Sequence, residues 1–226
     1  MKREKFNKNA NYGRNDRNDN RVVPEKKSIL DRNLPSGRKV SDDIAQAVEV
    51  MRKGGVILYP TDTVWGIGCD ATNAEAVKRV YEIKQRDDSK ALICLIDSDI
   101  RLQKYARDIP DVAWDLLTLP EKPTTVILDG ISNLAANLYA EDGSVGIRIT
   151  QEDFSKQLCY RMQRPIVSTS ANISGEPTAQ NHCDISKEIL DAVDYVCETR
   201  RQEHLPHTPS SIIKLTKDGQ VTIIRN

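Results

Sequence analysis

The chain has 226 residues, 38% hydrophobic and 29% charged, which is enough apolar sequence for one ordinary core without disulfides or metals. Its 33 Lys/Arg balance 33 Asp/Glu, and its five cysteines contain no CxxC pair, a usage that argues against a disulfide scaffold and for a reducing, cytoplasmic setting. No run of the roughly 20 apolar residues needed to span a bilayer occurs, and the polar N-terminus predicts no secretory signal.

The charge is unevenly spread. Residues 1–39 hold 12 Lys/Arg and 5 Asp/Glu, whereas residues 40–226 hold 21 and 28. A basic polar tail over 1–39 therefore precedes a mildly acidic domain over 40–226. Up to about residue 27 the tail has no apolar period and is expected to be largely disordered, although its charge suits nucleic acid.

Folded structure is expected to start near Val40. Ser41 reads as an N-cap, with Ile44, Ala45, Ala47, Val48 and Met51 at helical spacing and Gly54-Gly55 as the stop. VILYP (56–60) reads as a buried strand ended by Pro60. Asn73 caps a helix from about Ala74 to Lys84, and ALICLID (91–97) is again a strand. Helices are predicted near 99–107, 110–118 and 153–162. Strands are predicted at 124–129, 144–149, 165–170, 194–198, 211–215 and 221–225, the last two forming a hairpin that turns at Asp218-Gly219. Strands apolar on both faces imply a sheet covered by helices. The expected fold is α/β: a single domain with a large twisted, mixed sheet and flanking helices.

Common catalytic signatures do not occur. The sequence holds no GxxxxGK[ST], no GxGxxG after a strand, no HExxH and no GxSxG. His204-Leu-Pro-His207 has metal-like spacing but no Cys or carboxylate partner is evident nearby in sequence, so no metal site is predicted and no catalytic histidine. What remains is hydroxyls and cations placed just after strands. Thr61-Asp62-Thr63-Val64-Trp65-Gly66 leaves the VILYP strand, either as an ordinary turn or as a loop that lets a small polar ligand approach. Lys84, Arg86 and Lys90 surround one loop, either as partners of a helix C-terminus or as a cradle for a triphosphate. Ser168, Ser170, Asn172 and Ser174 crowd one strand exit with more hydroxyl and amide groups than a turn needs. Arg148 sits inside an apolar strand, so it must pair with a carboxylate such as Asp142 or Asp153, or face a cleft.

Taken together, YPTDTVWGIGCDA (59–71), Lys84-Gln-Arg86, KALICLI (90–96), PTTVIL (123–128), SVGIRI (144–149), STSANISGEPT (168–178) and PSSII (209–213) resemble the YrdC-like threonylcarbamoyl-AMP synthase family in its short form. The resemblance covers roughly residues 40–226. It implies an open α/β sheet with a deep positive cleft, and a synthase that makes threonylcarbamoyl-AMP and pyrophosphate from L-threonine, bicarbonate and ATP, with Mg2+ carried on the phosphates. Partner proteins would then move the group to an adenosine beside the tRNA anticodon, and tRNA itself is a further candidate contact. By position, Lys84, Arg86, Lys90, Thr125, Ser168 and Arg225 match ATP-site residues. Thr61, Thr63, Arg148, Ser170, Asn172 and Ser210 match the amino-acid side. None of these is an obvious general base, so no catalytic acid–base residue is assigned. The chain departs from the family where Leu119-Pro120-Glu121-Lys122-Pro123 replaces a tryptophan-proline-glycine-proline loop. The rival readings are an RNA-binding protein of the same fold without catalysis, which the acidic balance of 40–226 opposes, and a carbamoyl-transfer domain of hydrogenase maturation, whose acylphosphatase and zinc-finger segments have no counterpart here.

Overall fold

The computed structural model describes residues 28–86, 92–107, 109–119, 121–204 and 208–226. The first helix, α1 (Val40–Arg52), buries Ile44, Ala47, Val48 and Met51, the positions set by the helical spacing. Its N-cap is Lys39 rather than Ser41, because Asp42 reaches back to the Lys39 backbone N–H. Order also begins before Val40. A short 3-10 turn spans Ile29–Asp31, Leu34 is buried, and Ser36 bonds Glu198. The expected domain boundary therefore falls too late by at least a dozen residues.

Strand β1 (Ile57–Tyr59) runs into β2 (Gly66–Gly68), a three-residue strand that the apolar pattern does not announce. Helix α2 (Ala74–Ile83) follows, capped by the Asn73 side chain as predicted. Strand β3 (Ile93–Ile96) leads to α3 (Asp99–Leu102), which stops five residues short of the helix read there, and to α4 (Asp111–Thr118). The second half holds β4 (Thr124–Leu128), β5 (Val145–Ile149), α5 (Asp153–Met162), β6 (Ile166–Ser170), α6 (Lys187–Ala192), β7 (Tyr195–Val196), β8 (Ser211–Leu215) and β9 (Val221–Arg225). β7 is shorter than the predicted 194–198 because the Glu198 and Thr199 amides bond the Asp43 carboxylate instead of a neighbouring strand.

The described strands form one nine-stranded sheet in the order β7-β1-β2-β6-β3-β5-β4-β8-β9. The β1–β7, β3–β5 and β4–β8 pairs are parallel and the rest antiparallel, so the sheet is mixed, as the α/β reading expected. Alternation along each strand sends side chains to two cores. Ile57, Tyr59, Leu95 and Ile166 pack with α1 and α5, whereas Leu58, Cys94, Ile96 and Val167 pack with α2 and α4. The exception is β9. All five of its residues are exposed, including Val221, Ile223 and Ile224, so this edge is not covered as its apolar run implied. Among the described residues no helix is long and apolar enough to cross a membrane.

Candidate active site

The site forms where β2 and β6 meet. Gly66 and Gly68 are needed there. A β-carbon at Gly68 would lie 2.5 Å from the Val167 carbonyl oxygen, and one at Gly66 would lie 3.3 Å from Ser168 Oγ. This closeness brings the loop after β1 against the end of β6. Thr61 Oγ1 donates to the Val64 carbonyl at 2.7 Å and accepts the Thr63 amide at 3.1 Å, a side-chain turn that fixes the loop. The Thr61 and Thr63 hydroxyls are 3.1 Å apart.

A cavity of about 240 Å3 opens over this junction. Thr61, Thr63, Arg86, Arg148, Ser168, Ser170, Ser210 and Arg225 line it, eight of the twelve residues singled out from sequence. They come from segments as distant as 61 and 225. Leu92, Ile93 and Ile212 add an apolar wall, which the cavity shares with an adjoining hollow of about 590 Å3 that reaches Lys214 and Ile224.

The cavity is cationic within an acidic domain. Arg148 in β5 is buried and its Nη2 lies 2.9 Å from Asp62 Oδ1 and 3.4 Å from Thr63 Oγ1. Its carboxylate partner is thus Asp62, not Asp142 or Asp153. Asp142 instead pairs with Lys214 and Ser144. Burial pushes the Asp62 carboxyl up, and the Arg148 charge opposes that. The Arg148 Nε is buried without a partner among the described residues. Burial lowers Arg86, and burial together with the like charge of Arg148 lowers Arg225. A guanidinium in a protein is cationic at neutral pH. A recess that holds three such cations and several hydroxyls suits a polyanion.

Of the other four residues, the three that are described do not line the cavity. Thr125 in β4 lies one step behind it, its hydroxyl 3.0 Å from Ser210 Oγ, while Arg225 Nε donates to the Ser210 carbonyl at 2.9 Å. Lys84 is buried beneath the loop after β6, and its Nζ donates to the Ser170 and Asn172 carbonyls at 2.5 and 2.7 Å. Burial and the neighbouring Arg86 charge push its pKa down to about 8. Asn172 Nδ2 donates to the Ile173 and Glu176 carbonyls and so shapes that same loop. Lys90 lies outside the described residues, as do Pro120 and His207. Sequence reasoning missed Arg200, which reaches the back of the Thr61 loop, and left Asp62 unassigned. Among the described residues no group of three or more His, Cys, Asp or Glu could hold a metal ion.

Three comparisons bear on this site. The family model Sua5_yciO_yrdC, described as "Telomere recombination", matches residues 49–226. The threonylcarbamoyl-AMP synthase of Pseudoalteromonas translucida is 34% identical over 182 residues, which is 79% of this chain and 95% of that protein. Among solved structures, E. coli YciO superposes with a TM-score of 0.73 at 27% identity, over 84% of this chain and 91% of that one. P. abyssi Sua5 complexed with L-threonine superposes with a TM-score of 0.69 at 26% identity, over 79% of this chain and 52% of that one. The chain thus spans about half the length of P. abyssi Sua5.

Proposed function

The chain belongs to the Sua5/YciO/YrdC family, and from that premise we propose that it is an L-threonylcarbamoyladenylate synthase, a nucleotidyltransferase acting on L-threonine, bicarbonate and ATP. The observation that carries this reading is the convergence of Arg86, Arg148 and Arg225 with Ser168, Ser170 and Ser210 on one cavity. The rival reading, an RNA-binding protein without catalysis, would call for an extended basic surface rather than a small cationic recess in an acidic domain.

The chemistry needs no acid–base residue of the protein. The amine of L-threonine joins bicarbonate with loss of water to give a carbamate. A carbamate oxygen then attacks the α-phosphorus of ATP, and the bond to the β-phosphate oxygen breaks to release pyrophosphate. Charge builds on the phosphates in that step. Arg148 is a buried, preorganised cation for it, and Arg86 and Arg225 bring two further charges to the cavity wall. Thr63 and the hydroxyls of Ser168, Ser170 and Ser210 supply short polar contacts, and the Leu92, Ile93 and Ile212 wall offers an apolar surface for a base. Lys84 and Asn172 act on the loop that presents Ser170. The donor set is cationic and hydroxylic and would repel a bare cation, so Mg2+ fits here as the counter-ion of the triphosphate and part of that substrate. Partner proteins would transfer the product to tRNA, and the basic residues of 1–27 suit contact with that RNA.

The test is pyrophosphate release by the full chain, with L-threonine, bicarbonate and ATP omitted in turn. Release should require all three. Equal release without L-threonine would eliminate the synthase reading.

A further inference from the structure

We propose that Arg200 is a positioning residue for the Thr61–Thr63 side of the cleft and sets the affinity for L-threonine without touching it. The proposal rests on the synthase reading above. Arg200 does not line the cationic cavity. It lines a separate hollow of about 850 Å3 that shares Thr61 with that cavity and has Asp62 in its wall.

Its guanidinium is held from three directions. Nη1 donates to the Thr61 carbonyl at 2.9 Å and lies 3.5 Å from Glu152 Oε1, and Nε lies 2.5 Å from Glu203 Oε2. Glu152 is itself fixed as the cap of α5, accepting the Phe154 and Ser155 amides. Arg200 also has a φ of 64°, a conformation that a residue with a β-carbon adopts only when its surroundings enforce it. The enforcement comes from the residues just before it. The Thr199 amide and hydroxyl donate to Asp43 Oδ2 at 2.8 and 2.6 Å, and the Glu198 amide bonds the same carboxylate at 3.0 Å. Asp43 is fully buried in the first turn of α1.

A continuous set of contacts results. Asp43 fixes the 198–199 segment, that segment aims Arg200 at the Thr61 carbonyl, and the Thr61 hydroxyl meets that of Thr63. The Thr63 hydroxyl in turn meets Arg148 at the cavity wall. Asp62 completes the link, because it pairs with Arg148 and feels the charge of Arg200. An exposed connecting loop requires neither a left-handed arginine nor a buried carboxylate to anchor it. Both make sense if the backbone at Thr61 has to be held within a few tenths of an ångström for the cavity it walls.

The test measures initial rates of pyrophosphate release against L-threonine concentration for R200Q, R200K and R200G, with thermal unfolding measured in parallel. R200G matters most, since glycine accepts a φ of 64° without strain, so the variant removes the side chain and its guanidinium without straining the backbone. R200Q and R200G should raise KM for L-threonine roughly tenfold, with KM for ATP changed less than about twofold and kcat less than about threefold. R200K, which restores a donor toward Thr61, should recover most of the loss. A folded R200G with wild-type KM for L-threonine would overturn the proposal. So would a loss that falls equally on both KM values and kcat and tracks the fall in melting temperature, because that is the signature of a purely structural residue. These outcomes leave the synthase reading intact, which fails only if the wild-type chain turns over without L-threonine.

Discussion

Replacing Lys84 with methionine separates two roles that one buried ammonium combines. Methionine keeps the unbranched stem and removes both Nζ contacts, leaving the Asn172 carbonyl without its partner, while the Ser170 carbonyl keeps the Asn172 amide at 2.9 Å. One orphaned carbonyl costs about 1–3 kcal/mol and the charge-assisted bond lost at the other about 1.5–3, so the loss is about 2.5–6 kcal/mol. Against this stands the cost of keeping a charge there. A pKa lowered from 10.5 to about 8 corresponds to roughly 3 kcal/mol at neutral pH. The two effects nearly cancel, and K84M should be destabilised by less than about 3 kcal/mol. Function should respond more. The loop that presents Ser170 loses its fastening and the cavity loses a nearby charge, so ATP affinity should fall at least about tenfold, or roughly 1.4 kcal/mol. Urea unfolding gives the first quantity and calorimetric titration with ATP the second. A variant that is folded and binds ATP like the wild type would refute the reasoning. A loss of more than about 5 kcal/mol of stability would show that the lost carbonyl contacts, not the buried charge, dominate.

The same lysine sets a pH dependence. Its folded pKa of about 8 lies below the unfolded 10.5, so in that window the unfolded chain binds more protons and the Lys84 contribution to stability rises with pH. ATP affinity should fall over the same window as the ammonium is lost, and titrations from about pH 7 to about pH 10 should give a flat profile in K84M. Arg86→Ala should weaken ATP binding by roughly 2–3 kcal/mol while leaving unfolding cooperative, since Arg86 follows the end of α2 rather than filling a core. Unchanged ATP affinity would return Lys84-Gln-Arg86 to a solvated helix terminus. Deleting residues 1–27 should leave pyrophosphate release intact while weakening tRNA modification by the complete pathway in a salt-dependent way. Loss of release in a folded truncation would instead put the tail in the active cleft.

What was legible in the sequence was local. The periodic positions of α1, α2 and α5 and the Asn73 cap are set within a few residues of themselves, and so is the Asp218-Gly219 turn between β8 and β9. The cleft residues were found because they lie in motifs with a family resemblance, and eight of them do converge on one cavity. What was illegible was set at long range. β2 is three residues of Gly-Ile-Gly, too short to show a period, and exists because β1 and β6 flank it. Residues 28–39 are mostly polar, with Ile29, Leu30 and Leu34 the exceptions, yet Leu34 is buried and Ser36 and Arg38 bond Glu198, about 160 positions away. Arg148 had two candidate carboxylates close in sequence and chose Asp62, which the fold delivers from 86 positions upstream. Arg200 carries no local signature, because its left-handed backbone depends on a carboxylate in the first helix.

The cavity wall that joins Thr61 to Arg225 also dictates an order of events during synthesis. β1 pairs with β7, so the first strand waits for residue 195, and β4 waits for β8 near residue 211. Arg225 rides on the final strand of the sheet, beside Ser210. Such distant pairings are slow to close, because the entropy of the intervening chain is spent before the contacts return it. A nascent chain on the ribosome can form its early helices and the β1–β2 hairpin, but its cationic recess stays incomplete until Arg225 has left the exit tunnel. On the proposed function, partly made copies would therefore lack a complete nucleotide site, and nucleotide would favour the native state only once Arg225 is in place.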